Sequence, residues 1–273
     1  MDDLGFTAFV ALSDADEIIA GPLRRRFAEV SPSSSLILEQ CVAGDALQAY
    51  RVSVDGHDFV VALFTGPIPQ VELTFAIRKS LFWPDAGLEL QGHRGFLAIA
   101  AAQRQTRHGL ARAQSIALTR FLAALVEVVP AAGVYWRGGE TCSPPQRLAD
   151  APGQINRGKW PVDVWIGYQL FRKDAQAALD VPQVVGMQTR GAAAYLGFEI
   201  EIPPYEVAEL KEPLRILYNA AGYLMNYGDV IRDGQIVEVE GERRTSYQLH
   251  LGARGEPGLA RLSVLETDHR KMN

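Results

Sequence analysis

The 273 residues, 48% apolar and 22% charged, are enough to bury a substantial core and too apolar for disorder along the whole chain. A net charge of −5 argues against a nucleic-acid partner, since the two basic runs, Arg24-Arg25-Arg26 and Arg243-Arg244, lie beside Glu29 and beside Glu240 and Glu242. Two cysteines without CxxC spacing, Cys41 and Cys142, exclude a disulfide scaffold. No stretch reaches the roughly 20 apolar residues of a membrane helix, so the chain reads as cytoplasmic, with room for a basic protein partner.

In chain order, residues 6–12 suit a buried strand. Ser13 and Asp14 offer caps for a helix over about 16–28, whose Ile18, Ile19, Leu23 and Phe27 repeat at helical spacing. After the loop Ser31-Pro32-Ser33-Ser34-Ser35, strands are expected over 36–42, 46–54 and 57–64. Asp55-Gly56 is a two-residue hairpin signal, and Gly44-Asp45 a weaker one. Pro67 and Pro69 end this meander, a helix follows over 70–81, and Trp83-Pro84-Asp85-Ala86 breaks it. A buried strand over 95–102 leads to a long helix over 109–129, with Ile116, Phe121, Leu122, Leu125 and Val129 inward. Pro130 and Gly133 stop it before a short strand over 134–136. Residues 137–160, rich in Gly, Pro and polar side chains, read as a long surface loop carrying one weak helix, and a loop of that length is functional or mobile.

Strands are expected over 162–171 and 184–188, then a short helix over 189–196 with Gly197 as its C-cap. Phe198-Glu199-Ile200-Glu201-Ile202 alternates strictly, the mark of a half-exposed strand, which Pro203-Pro204 closes. An amphipathic helix spans 207–226 with Pro213 near its start and Gly228 after it. Asp233-Gly234 turns into 235–240, and strands over 245–251 and 260–266 finish an antiparallel set. Hairpins dominate, so the expected fold class is α+β, mainly antiparallel sheets with packed helices, rather than a doubly wound parallel sheet. A similarity between 6–38 and 96–136 suits a duplicated split βαβ-like arrangement. The expected organisation is an N-terminal region over 1–136, the loop over 137–160 and a C-terminal region over 161–273, forming one compact unit.

The stretch 184–266 carries Gly191-Ala192-Ala193-Ala194-Tyr195-Leu196-Gly197-Phe198-Glu199-Ile200-Glu201, then Leu214, Leu217, Asn219-Ala220-Ala221, Tyr223-Leu224, Gly228 and Asp233-Gly234. In these residues it resembles the bacterial family known as domain of unknown function 4261. Trp83-Pro84-Asp85-Ala86, Gly92-His93 and Gly133-Val134-Tyr135-Trp136 are similar to upstream segments of longer members, which extends the resemblance over most of the chain. These are packing motifs, and the family brings no activity to carry over residue by residue. Members near secretion-system and toxin-neutralising genes make the resemblance imply a binding protein.

No reactive constellation emerges from spacing. His57, His93, His108, His250 and His269 form no i, i+4 pair and have no cysteine pair beside them, so no metal site is expected. Gly-x-Ser-x-Gly is absent. Cys142 lies among glycines that would expose its thiol, as a reactive group or a plain surface cysteine, while Cys41 suits a small core position. Arg137-Gly138-Gly139-Glu140 and the stretch 252–258 read as ordinary turns, each without the elements of a phosphate cradle. Glu199 and Glu201 share one face of their strand. They form a carboxylate pair or, with Phe198, Ile200 and Ile202 facing in, they face water, and the second is the expectation. His93 is a base or the tie between a loop carbonyl and Asp85. Among Trp83, Tyr135, Trp136, Trp160 and Trp165, Trp165 packs inward, and each of the others is an interface anchor or a core residue.

The expectation is a protein–protein binding module without enzymatic activity, metal or cofactor, and by resemblance a cytoplasmic immunity protein that neutralises a bacterial secretion-system toxin. The contact candidates are Trp136, Glu140, Trp160, Glu238, Glu240 and Glu242, with Trp83, Asp85 and His93 as a functional loop. Two alternatives stay open: an enzyme using His93 with Asp85 or Glu140, and a secretion-apparatus chaperone or structural domain, for which the helix–meander–helix order over 16–81 speaks.

Overall fold

The computed structural model describes residues 7–14, 20–42, 48–103, 108–172, 184–206, 211–227, 232–239, 245–252 and 258–264. It is an α+β protein of antiparallel-dominated sheets, divided into two compact units, 1–167 and 168–273.

The first unit runs β1 (Thr7–Leu12), α1 (Ala20–Val30), β2 (Leu36–Val42), β3 (Gln48–Val54), β4 (His57–Phe64), α2 (Gln70–Lys79), α3 (Ala86–Glu89), β5 (Gly95–Ala101), α4 (His108–Leu125), β6 (Ala131–Trp136), β7 (Thr141–Ser143), α5 (Pro145–Asn156) and α6 (Val162–Trp165). Its sheet has the order β2-β3-β4-β5-β1-β6-β7 with antiparallel neighbours throughout. Asp55 and Gly56 both take positive φ, 49° and 79°, which gives the two-residue turn the twist its flanking strands need. β5 and β6 each run antiparallel to β1, so they are parallel with β1 between them, and β5–α4–β6 is a split βαβ unit. β1–α1–β2 has the same element order, but three strands separate its ends.

Side chains alternate across a strand, so the register sorts this sheet into two faces. One carries Val10, Leu38, Tyr50, Val52, Phe59, Val61, Leu97 and Ile99, all buried on the side of α1 and α4. The other carries Phe9, Ala11, Tyr135 and Cys142, on which α2 and α3 pack through Leu73, Ala76, Trp83, Ala86 and Leu90. Gly133 shows how closely they pack: a Cβ there would lie 2.7 Å from the Trp83 ring and 2.8 Å from Leu90.

Residues 137–160 are not the expected loop. A tight turn, with the Glu140 amide bonded to the Arg137 carbonyl, leads into β7, and Pro144-Pro145 starts α5. Proline is tolerated at the first helical position because the missing N–H has no intrahelical partner there. Leu148, Ala151 and Ile155 form the buried stripe of α5, which packs on α4. The expected strand over 162–171 is also corrected: 162–165 close one helical turn, Ile166 amide to Val162 carbonyl, and strand begins at Gly167.

The second unit comprises β8 (Gly167–Arg172, from the boundary residue on), β9 (Val184–Arg190), α7 (Ala193–Leu196), β10 (Glu199–Glu206), α8 (Lys211–Tyr227), β11 (Ile236–Val239), β12 (Thr245–Leu251) and β13 (Leu259–Val264). The sheet order is β11-β12-β13-β10-β9-β8, with β10 and β13 parallel. Leu217, Ala220, Ala221 and Leu224 are the buried stripe of α8, at helical spacing. Gly197, at φ 85°, caps α7 as expected. The helix expected over 189–196 is shorter because Thr189 and Arg190 prolong β9, and its start at 207 for the later helix lies outside the described residues. Pro203-Pro204 does not close β10: the strand runs on to Glu206 across a register shift between Ile202 and Tyr205.

The expectation that Glu199 and Glu201 face water is overturned. The Glu199 carboxylate accepts from the amides of Gly191 (2.8 Å), Ala192 (3.1 Å) and Ala193 (3.3 Å) and from the Thr189 hydroxyl (2.7 Å). The small residues 191–193 therefore wrap a turn around it. Burial pushes this carboxyl above its ordinary range, and the four donors oppose that push. Glu201 is buried and pairs with Arg261, its register partner on β13, at 2.7 Å from Nε and 2.6 Å from Nη2.

Candidate functional site

The two tryptophans expected at an interface belong to an aromatic column. Trp136, only 1% exposed, points to the α4 side and stacks on Trp165 with centroids 6.3 Å apart. Trp160 meets Trp165 at 6.1 Å, and the Arg112 guanidinium lies 5.1 Å from the Trp160 centroid. Trp165 donates from Nε1 to the Thr119 hydroxyl at 2.8 Å, which ties α6 to α4. Trp136 therefore cannot anchor a partner, and Trp160 is half-buried as the outer ring of the column. Gly139 serves packing: a Cβ on it would lie 2.4 Å from the Trp165 carbonyl oxygen, and one on Gly167 2.0 Å from the carbonyl oxygen of Gly139.

Glu140, at φ 52°, is held by an ion pair to Lys79 on α2. Beside it Arg137 donates twice to the Glu72 carboxylate, each time at 3.2 Å. Tyr135 sits close enough to feel both carboxylates, and burial, then Glu72 and Glu140, raise its phenol above the ordinary range. The group is a partly buried charge network that fastens α2 to the turn after β6.

His93 is a structural clasp. The Ile68 amide donates to Nε2 at 2.7 Å, and Nδ1 lies 2.8 Å from the Leu90 carbonyl. An amide can only donate and a carbonyl only accept, so the ring is the neutral tautomer with its proton on Nδ1. Both nitrogens are taken by backbone, neither by Asp85. Asp85 is exposed, its carbonyl opening α3 through the amides of Leu88 and Glu89. Trp83 is core, donating from Nε1 to Glu89 at 3.1 Å. Glu238 is exposed on β11, and Glu240 and Glu242 lie outside the described residues.

The cysteine expectations are reversed. Cys142 is buried under α2 and α3, where burial pushes its thiol up to about 12, and Cys41 is the exposed one, on β2. Among the described residues no three His, Cys, Asp or Glu side chains gather as a metal site.

What residue-by-residue reading missed is a surface. On the face that carries α2 and α3, those helices lie over β1, β6 and β7, with Phe96 of β5 at their border. The rest of that face, β2 to β5, exposes Ile37, Val42, Val60 and Phe64 beside half-buried Ala49, Ala62, Ala98 and Ala100. The register puts these on one side: Val42 opposite Ala49, Ala49 opposite Ala62, Ala62 opposite Ala98, and Val60 opposite Ala100. Phe64 lies flat against Phe96, centroids 4.8 Å apart and planes at 10°. Next to this floor α2 exposes Val71 (74%) and Phe75 (59%), one helical turn apart, the following turn exposes Phe82, and α3 exposes Leu88 (72%). α3 rests on α2 at Gly87, whose Cβ would lie 3.3 Å from Ile77. Large exposed apolar patches mark interaction sites. A signal was present in β4 and β5, which are apolar at successive positions where a one-sided strand would alternate with polar ones.

No protein-family model, no curated protein and no solved structure matches this chain.

Proposed function

We propose that this protein is a protein–protein binding module whose contact surface is the apolar face formed by β2–β5 together with α2 and α3. The observation that supports this most is the gathering of Ile37, Val42, Val60, Phe64, Val71, Phe75, Phe82 and Leu88 on one side of a single sheet. At the α2 edge stand the Glu72–Arg137 and Lys79–Glu140 pairs, and on the strands Glu39, Arg51 and Asp58 share the face, so apolar residues lie between charged ones, as they do in many protein interfaces. Glu140 thus keeps a place at the edge of the surface.

The finer reading is a cytoplasmic immunity protein that neutralises a secretion-system toxin by covering it. Its support is the resemblance of 184–266 to domain of unknown function 4261 and the acidic balance of −5. Pull-down with the product of the adjacent gene tests it. Binding at micromolar concentration and relief of that product's toxicity are expected, both weakened by Val60→Glu. No binding and no relief rejects the reading.

A further inference from the structure

The same face is self-complementary, and we propose that in the free protein it is covered by a second copy of this chain, paired face to face about a twofold axis. The proposal rests on reading this face as a protein-binding surface, and it names the occupant when no other partner is present.

A twofold contact requires one face to hold both a shape and its complement, because residue i of one copy meets residue j of the other and j meets i. This face does so. One half is raised by a layer of helix, α2 and α3, which exposes Val71, Phe75, Phe82 and Leu88. The other half has no helix laid on it among the described residues and is floored by half-buried Ala49, Ala62, Ala98 and Ala100. An axis along the border between the halves sets the ridge of each copy on the floor of the other.

The floor is also the kind of seat that α2 and α3 already use. Beneath them in their own copy lie Ala11, Ala132, Gly133 and Cys142, small side chains set among the rings of Phe9, Tyr135 and Phe96, and at these small positions a helix layer comes close to the sheet. The uncovered strands continue that composition with four alanines, so a second ridge finds on β2–β5 what the first has on β1, β6 and β7. Charge permits the pairing. The whole chain carries −5, which sets copies against one another. Floor and ridge are instead both mixed in sign, the floor with Glu39 directly across from Arg51 and Asp58 two residues before Val60, the ridge with exposed Arg78 on α2 and Glu89 on α3. A stable interface engages about 20–30 residues on each side, so the ridge and the four-strand floor both have to take part.

Sedimentation velocity on the full chain, from nanomolar to high micromolar concentration, tests this. The wild-type chain is expected to sediment as a concentration-dependent dimer. Val60→Glu on the floor and Phe75→Lys on the ridge should each weaken it by about tenfold or more, with circular dichroism unchanged, since both positions are exposed. Should either variant misfold, Val60→Ser and Phe75→Ala replace them. An equimolar mixture of Val60→Glu and Phe75→Lys should regain the dimer, because the mixed pair has one untouched ridge–floor contact and one Glu–Lys contact. A wild-type chain that stays monomeric at high micromolar concentration overturns the proposal. So does a dimer that ignores both substitutions, or two monomeric variants that do not recover on mixing. If the wild-type chain is monomeric but Val60→Glu still abolishes capture of the adjacent gene product, self-pairing is wrong and the binding-face reading stands. If the dimer responds as expected but capture is untouched, self-pairing stands and the partner binds elsewhere.

Discussion

The two halves of one sheet face, one under α2 and α3 and one bare, are built from similar small residues yet differ in what a substitution should do. Under the helices, Ala11, Gly133 and Cys142 are packed beneath Trp83, Leu73 and Leu90. On β2–β5 the alanines stay half-buried, and Val60 and Phe64 stand exposed. The difference teaches that composition alone does not make core: a face becomes core only where a second layer is connected so as to reach it. Here the link 65–69 delivers α2 to the β1–β6–β7 side, and His93 pins Ile68 in that link to Leu90 at the end of α3.

The largest contrast should come from the ring that fills the covered half. Trp83→Ala is expected to cost about 3–5 kcal/mol of unfolding free energy, while Phe75→Ala on the exposed side of α2 stays within about 0.5 kcal/mol. Denaturant unfolding at a concentration where any dimer has dissociated checks both, and equal losses would break the distinction between halves. Next comes added volume. Gly133→Val has no room beside Trp83 and should destabilise by about 1–3 kcal/mol, whereas Ala62→Val on the bare floor should change stability by no more than about 0.5 kcal/mol under the same conditions.

The clasp gives a smaller effect. His93→Ala leaves the Ile68 amide and Leu90 carbonyl without the ring and should cost about 1–3 kcal/mol. Were His93 a catalytic base instead, this variant would lose an activity while its midpoint stayed put. The smallest effect is a rate rather than an energy. At pH 8 a maleimide should label Cys41 on the edge strand quickly and leave Cys142 unlabelled until unfolding, because its buried thiol, pushed up to about 12, supplies almost no thiolate. Cys41→Ser should remove the fast phase, and rapid labelling that persists in that variant would show the covered half to be open.

Much of the fold was legible where the signal is local. Asp55-Gly56 makes its hairpin because two adjacent residues take positive φ, and Gly197 caps α7 for the same reason. The long helix α4, the meander β2–β3–β4 and the antiparallel class followed from periodicity and turn residues. Residues 137–160 did not, because their glycines and prolines hid the stripe Leu148, Ala151 and Ile155, and because Gly139 is there for a backbone crossing with Gly167 that lies 28 positions away in the chain. Alternation placed Glu199 and Glu201 on a common side but could not say what meets that side. Their partners, the amides of the 191–193 turn and Arg261, arrive by folding.

The candidate site divides the same way. Trp136 and Trp160 drew attention for their size and loop neighbours, yet Trp165, held by Thr119, stacks on Trp136 and draws it into a column. The surface that emerged instead is made of valines, alanines and phenylalanines that look like ordinary core in a linear reading. Outside 137–165, sequence by itself determined most of the elements, the antiparallel class and which residues share a side of each strand, because these depend on φ, ψ and periods of 2 and 3.6 within a few residues. Only the tertiary structure decided which sides are covered, since coverage depends on where a link of a few residues sends the next helix, and that is a contest among long-range contacts that no local pattern records.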